Sequence, residues 1–280
     1  MFYNSVMSTF PRNFQTEFND LEKVELYVMD ATSFATRSCV SSVGSLIHTA
    51  QKIELATIVS TGLVLWRTYG LRLAFRYLAG LILALAVQRV CLSAMMRKTG
   101  AQDASLADVL TLSRATTGAV LAGLVVSGIR DRVGRAGRLS WWMILLGATI
   151  CDWLDGPLAR RVGATQLGSA LDIEADSWLT LWSAASAVAW GDLPRWCLLP
   201  PILRYLDPLF DLRRGKLPHG GGPWWSRMTG TAQMLLFLTA LAPVNRRWRQ
   251  RTLSLAALPV SGGQCITIVV LLARKMLKQP

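Results

Sequence analysis

The sequence predicts an all-α polytopic membrane protein: a six-transmembrane-helix bundle with an N-terminal extension and an extra interfacial or spanning helix. Three observations predict it. Of the 280 residues, 52% are hydrophobic, and the mean hydropathy is +0.35; that balance suits a helical membrane protein better than a soluble domain. Long stretches from Asp108 onward are apolar around most of a helix circumference rather than along one stripe. The Lys and Arg residues behind the net charge of +13 fall in clusters between those stretches, where they would meet lipid phosphates. No nucleic-acid motif accompanies the charge, so membrane lipids are the expected partner and nucleic acid is not.

The elements follow in chain order. Residues 1–50 form an extension with no long apolar run, which excludes a secretory signal peptide. Its acidic residues Glu17, Asp20, Glu22, Glu25 and Asp30 argue against an organellar transit peptide. His48 stands alone there and is read as a surface residue. Residues 51–98 are an amphipathic or extra membrane helix region. Ile53–Trp66 is apolar but interrupted by Glu54, and Arg72, Arg76 and Arg89 reduce Leu71–Met96 to an apolar core of Tyr77–Val87. That core is short of the roughly 20 residues a span needs, so an interfacial helix and a spanning helix remain equally open.

Residues 99–280 are expected to form the transmembrane domain. Six spans are predicted, at 109–127, 139–160, 167–190, 193–209, 228–244 and 253–273. Trp141 and Trp142 stand where the second enters, as an aromatic belt would. Pro200 and Pro201 mark a break in the fourth, and Pro259, Gly262 and Gly263 loosen the sixth. The five cysteines are scattered without a C-x-x-C pair, so neither a zinc site nor a disulfide framework is implied. Basic residues are abundant on both sides of the spans, and positive-inside counting leans only slightly toward a cytoplasmic site face.

Against this apolar background one stretch stands out. Residues 51–280 contain twelve acidic residues, and five of them lie between Asp152 and Asp176. Carboxylates at membrane depth are costly unless paired, hydrated or bound to a cation. In helical geometry Asp152, Asp155, Gly156 and Ala159 share one face, and Gly168, Asp172 and Asp176 share another at steps of four. A turn near Gly163 would bring the two Asp pairs together. Four carboxylates in one site call for a hard divalent cation, Mg²⁺ or Mn²⁺, held by Asp152, Asp155, Asp172 and Asp176. Small residues beside them leave room for a close approach, and Arg160 adds a fixed cation suited to phosphate. Glu174 falls on a different face and is left out of the ligand set. A structural salt-bridge cluster is disfavoured on numbers, since only Arg160 and Arg161 lie close in sequence.

The pattern D-x2-D-G-x2-A-R-x7-G-x3-D-x3-D resembles the signature of the CDP-alcohol phosphatidyltransferase family. All eight specified positions are present over 25 residues: Asp152, Asp155, Gly156, Ala159, Arg160, Gly168, Asp172 and Asp176. The run Asp108–Arg114 resembles the family's first-helix entry N-x-L-T-x-x-R, with Thr111 and Arg114 matching and Asp108 in place of Asn. Ser226–Met234 loosely resembles a stretch of glycerophosphate-type members, G-K-x-K-T-x-x-Q-M, with Arg227 at the first Lys position and Gln233 and Met234 matching.

The resemblance implies an enzyme of the EC 2.7.8 type, in a bacterial cytoplasmic, organellar or ER membrane. CDP-diacylglycerol is the implied donor, a small alcohol the acceptor and CMP the leaving group; a homodimer is one assembly open to it. Thr111, Gly156, Ala159, Arg160 and Gly168 would bind the CDP-lipid. Asp176 would act as general base. Arg114, Arg204, Lys216 and Arg227 are candidates for the acceptor, and each also reads as a charge facing headgroups. The Arg227–Met234 match favours glycerol 3-phosphate, as in phosphatidylglycerophosphate synthases. Inositol or its phosphate, serine and phosphatidylglycerol stay open, as does a CDP-choline or CDP-ethanolamine donor. Outside the enzyme class, an intramembrane cation transporter should carry polar residues along several helices, whereas here they concentrate on two, and the four intact aspartates argue against a catalytically dead homologue.

Overall fold

A computed structural model describes residues 46–99, 106–162, 166–206, 223–243 and 246–277, with the backbone alone described through 153–162 and 246–252. Among the described residues every regular element is a helix. Two helices precede the expected bundle, α1 (Leu46–Tyr69) and α2 (Leu71–Thr99). Then come α3 (Leu106–Ser127), α4 (Arg135–Val162) and α5 (Gln166–Ala189). A 3₁₀ turn at Arg195–Leu198 leads into the short α6 (Leu199–Arg204). The chain continues with α7 (Trp224–Leu241) and α8 (Arg246–Leu277).

The region 51–98 is therefore not one helix but two. They separate at Gly70, whose φ of +89° is a conformation that residues with a Cβ rarely adopt. Its amide still donates to Trp66 O at 3.0 Å, closing the last turn of α1. The α2 helix runs straight through Arg89, because Arg89 donates Nε and Nη2 to the Glu54 carboxylate on α1 at 2.6–3.1 Å. Each of these charges interrupts an apolar run in the sequence; together they neutralise one another between the helices.

The core is centred on α3, which packs most extensively against α5 and α2. Tyr77, Leu81, Leu124, Leu145 and Phe237 are fully buried in it. The α2–α3 crossing is close because Gly80 and Gly123 face each other. A Cβ on Gly123 would lie 2.8 Å from the Tyr77 ring and 2.9 Å from its carbonyl oxygen. Trp178 and Trp182 pack edge-on at 5.7 Å along α5.

Among the described residues, three helices are long and apolar enough to cross a membrane: α2, Ala107–Ser127 of α3 and Leu253–Leu277 of α8. Their outer faces expose Phe75, Leu83, Val90, Leu255, Leu258 and Ile266, more contiguous apolar surface than a soluble chain leaves in water. The fourth expected span, 193–209, is described only to residue 206 and is broken at its prolines, as the sequence predicts. Residues 195–204 form the 3₁₀ turn and a six-residue helix. Pro200 and Pro201 occupy the start of α6, where a missing N–H costs nothing, and they prevent an upstream helix from continuing through.

The end of the bundle at the α3–α4 connection is fastened by Arg138. It pairs with the buried Asp192, donates to the carbonyls of Ala240 and Leu241 at 3.3 Å, and lies 4.9 Å over the Trp190 ring. Arg138 thus ties α4 to the turn after α5 and to the end of α7. The acidic stretch lies toward the other end of α4 and α5.

Candidate functional site

Three helices build the site. The C-terminal half of α4 supplies Asp152, and the N-terminal half of α5 supplies Asp172 and Asp176. The four-residue step between Asp172 and Asp176 puts both on one face, toward α4, as the helical spacing requires. Asp152, Asp172 and Asp176 each place a carboxylate oxygen within 4.8 Å of the others. Their side chains are 38%, 49% and 32% exposed, so an ion or a phosphate can reach them from outside.

The third helix, α3, contributes Arg114, which the sequence reading set among the site's candidates but not as the counter-ion of the carboxylates. Arg114 is completely buried beneath the carboxylates and pairs with Asp152 and Asp172. It also reaches Asp176 at 3.3 Å. Its Nη2 further donates to Asp172 O at 3.4 Å. The sequence argument against a salt-bridge cluster counted only nearby cations, whereas Arg114 lies 38 and 58 positions from two of its partners. The snorkelling alternative for Arg114 is likewise corrected, since a snorkelling head would be exposed.

A second cation stands at the edge. Arg204, at the end of α6, approaches Asp176 Oδ2 at 3.5 Å. Thr111 is buried on α3 one turn before Arg114, with its hydroxyl donating to Ala107 O at 3.0 Å. Asp108, one turn further back, is also buried. Gly168 lies one turn before Asp172 on α5. Asp155, Gly156, Ala159 and Arg160 are on the α4 backbone, but their side chains lie outside those described, as does Lys216 altogether. Arg227 is exposed on the first turn of α7 and makes no ion pair with the cluster among the described residues.

Charge decides what else the site needs. Three carboxylates against one buried guanidinium leave a formal charge of −2. A divalent cation matches that deficit, and an all-oxygen carboxylate set is the donor chemistry that Mg²⁺ and Mn²⁺ prefer. Arg114 uses one oxygen each of Asp152 and Asp172, and each carboxylate has a second oxygen. The residues present therefore fit a divalent ion.

Apolar spans surround an accessible carboxylate cluster that could hold a metal ion, with guanidinium groups at its base and rim. The chain belongs to the CDP-alcohol phosphatidyltransferase family, whose model matches residues 104–273. It is thus a transferase of phospholipid synthesis, in a family of EC 2.7.8 phosphotransferases that take a CDP-alcohol donor and an alcohol acceptor. No curated protein and no solved structure matches the chain.

Proposed function

We propose that the protein transfers a phosphatidyl group from CDP-diacylglycerol to glycerol 3-phosphate, giving phosphatidylglycerophosphate and CMP. The convergence of Asp152, Asp172 and Asp176 over Arg114, with Arg204 beside Asp176, carries this reading. In it, Asp152, Asp155, Asp172 and Asp176 hold Mg²⁺ or Mn²⁺. An ion held there would supply positive charge against the pyrophosphate and the departing CMP.

The chain's own residues have separate tasks. Arg160 and Thr111 steady the CDP-lipid, and Gly156, Ala159 and Gly168 leave room for the nucleotide. Asp176 takes the proton of the acceptor hydroxyl. The hydroxyl oxygen then bonds to the phosphorus that bears the diacylglycerol. The bond from that phosphorus to the bridging oxygen breaks, and CMP leaves with the electron pair. Arg204, next to Asp176, is well placed to hold the acceptor phosphate, with Lys216 and Arg227 as further candidates. Arg114 remains beneath the carboxylates and fixes their spacing, a task that takes precedence over contact with the acceptor. The domain of residues 99–280 carries all of these groups, and six spans remain the proposed topology, with 193–209 broken at its prolines.

The test is an acceptor panel. Purified protein receives CDP-diacylglycerol, Mn²⁺ and one of glycerol 3-phosphate, inositol, inositol phosphate, serine or phosphatidylglycerol, and the lipid product is identified by mass spectrometry. Phosphatidylglycerophosphate should be the main product. A dominant product from any other acceptor would replace glycerol 3-phosphate.

A further inference from the structure

The end of the bundle away from the carboxylates carries a second concentration of charge, of the opposite sign. Arg135 opens α4, and Asp152 follows about 25 Å further along the same helix. Three connections meet at the Arg135 end. Tyr69, at the α1–α2 turn, sets its hydroxyl 3.1 Å from the position a Cβ would take on Gly137, at the start of α4. Arg130 donates to Ala189 O at 3.3 Å and Arg138 pairs with Asp192, so the α3–α4 connection also meets the turn after α5. Together these connections present Arg67, Arg72, Arg76, Arg132, Arg135 and Arg195, all of them exposed.

These six arginines have no hydrogen-bond or ion-pair partner among the described residues. Asp192 is the one acid among the described side chains at this end, and it is buried against Arg138. Lysine is absent from residues 60–80, 125–145 and 186–200, and residues 246–251 of the α7–α8 connection add four arginines and no lysine. A guanidinium meets phosphate through two parallel hydrogen bonds, a geometry that an ammonium lacks. Trp66 and Trp196 stand 54% and 40% exposed among these cations, as amphipathic rings do at the level of lipid headgroups. Along α2 the exposed side chains run Arg72, Phe75, Arg76, Leu83 and Val90: cations near the helix end and apolar groups beyond them, the order of a phospholipid's own headgroup and chains. The distance to Asp152 is close to one hydrocarbon thickness of about 30 Å, so these arginines cannot reach a phosphate held by the carboxylate centre. A zwitterionic headgroup brings its own cation and leaves the charge standing, whereas a net-negative one cancels it.

We propose that this arginine face docks anionic phospholipid headgroups of the leaflet opposite the active site. Arg72 and Arg76, one helical turn apart on α2, share one headgroup phosphate, and the acyl chains of that lipid lie along Phe75, Leu83 and Val90. Arg132, Arg135 and Arg195 receive further headgroups around the α3–α4 connection and the turn after α5. The two ends of the bundle then bind phosphate by different means: carboxylates that call for a divalent ion at one, and bare guanidinium groups that need none at the other.

The full-length protein in phosphatidylcholine nanodiscs is photolabelled by trace phosphatidylglycerol carrying a photoreactive headgroup, with chelator present to remove metal-dependent phosphate binding, and labelled peptides are mapped. Labelling should fall on residues 66–76, 128–138 and 190–196. Combining Arg132→Gln, Arg135→Gln and Arg195→Gln should lower it in the last two segments about tenfold or more, since each exposed cation contributes about fivefold. Combining Arg67→Gln, Arg72→Gln and Arg76→Gln should do the same in the first segment; either set decides if the other fails to fold by size-exclusion elution. Arg97→Gln with Lys98→Gln, at the opposite end, should leave labelling unchanged. Competition by unlabelled phosphatidylglycerol but not by inorganic phosphate identifies a lipid headgroup rather than a free anion. Labelling confined to the carboxylate end, equal labelling by a phosphatidylcholine probe, full competition by inorganic phosphate, or labelling unchanged in a folded arginine set overturns the proposal. The readout needs no turnover, so a failed transferase assay leaves it standing.

Discussion

Replacing Arg114 with Met removes the guanidinium while keeping most of the side-chain volume. The guanidinium is fully buried and engages Asp152, Asp172 and Asp176. Removing one partner from a buried ion-pair network costs about 3–5 kcal/mol. Here the carboxylates are 32–49% exposed, so water takes up part of the loss and about 3 kcal/mol is the better figure. For a bundle of this size that lowers the melting temperature by about 6–12 °C. The same change raises the demand for a divalent ion, because the local formal charge goes from −2 to −3. Thermal melts in detergent, with chelator and then with increasing Mn²⁺, read both effects. The variant should melt lower in chelator and recover a larger share of its stability with Mn²⁺ than the wild type does. Each tenfold gain in ion affinity adds about 1.4 kcal/mol at saturating Mn²⁺. A variant that melts with the wild type in chelator, and gains no more from Mn²⁺, would refute Arg114 as the counter-ion of the cluster.

Three further outcomes follow from the same geometry. Asp176→Asn should lower CMP release by about 10²-fold or more, the usual contribution of a general base, while CDP-lipid binding by equilibrium titration stays measurable; near-normal turnover removes Asp176 from that role. Asp192→Asn breaks the buried pair with Arg138 and should cost about 3 kcal/mol in thermal melts. Its activity per folded molecule should hold, because the pair lies about 20 Å along α5 from Asp176. Gly123→Ala puts a methyl 2.8 Å from the Tyr77 ring and 2.9 Å from its carbonyl oxygen, and should destabilise the α2–α3 crossing by about 1–3 kcal/mol; a wild-type melting temperature would show that the two helices can separate freely.

Local features of the site were legible in the sequence because they depend on helical spacing. The step of four between Asp172 and Asp176 and the apolar character of their surroundings needed only the 3.6-residue period. Pro200 and Pro201 announced a break, although not that the helix would be only six residues long. The partnerships were hidden because they join distant positions. Arg114 looks like a helix-end cation until α3, α4 and α5 pack together, and Glu54 and Arg89 look like two flaws in two spans until they meet. Buried residues such as Leu92 and Trp178 carry no mark of which helix they meet, because an apolar side chain reads the same against any neighbour.

The central claim is a carboxylate centre that needs a divalent ion to transfer a phosphatidyl group. It is tested most directly by following CMP release from CDP-diacylglycerol and glycerol 3-phosphate, for wild type and Asp172→Asn, with Mn²⁺ and with chelator. The account predicts release by the wild type with Mn²⁺ alone, and loss in both the chelator arm and the variant. CMP release that persists in chelator or survives in folded Asp172→Asn would contradict it.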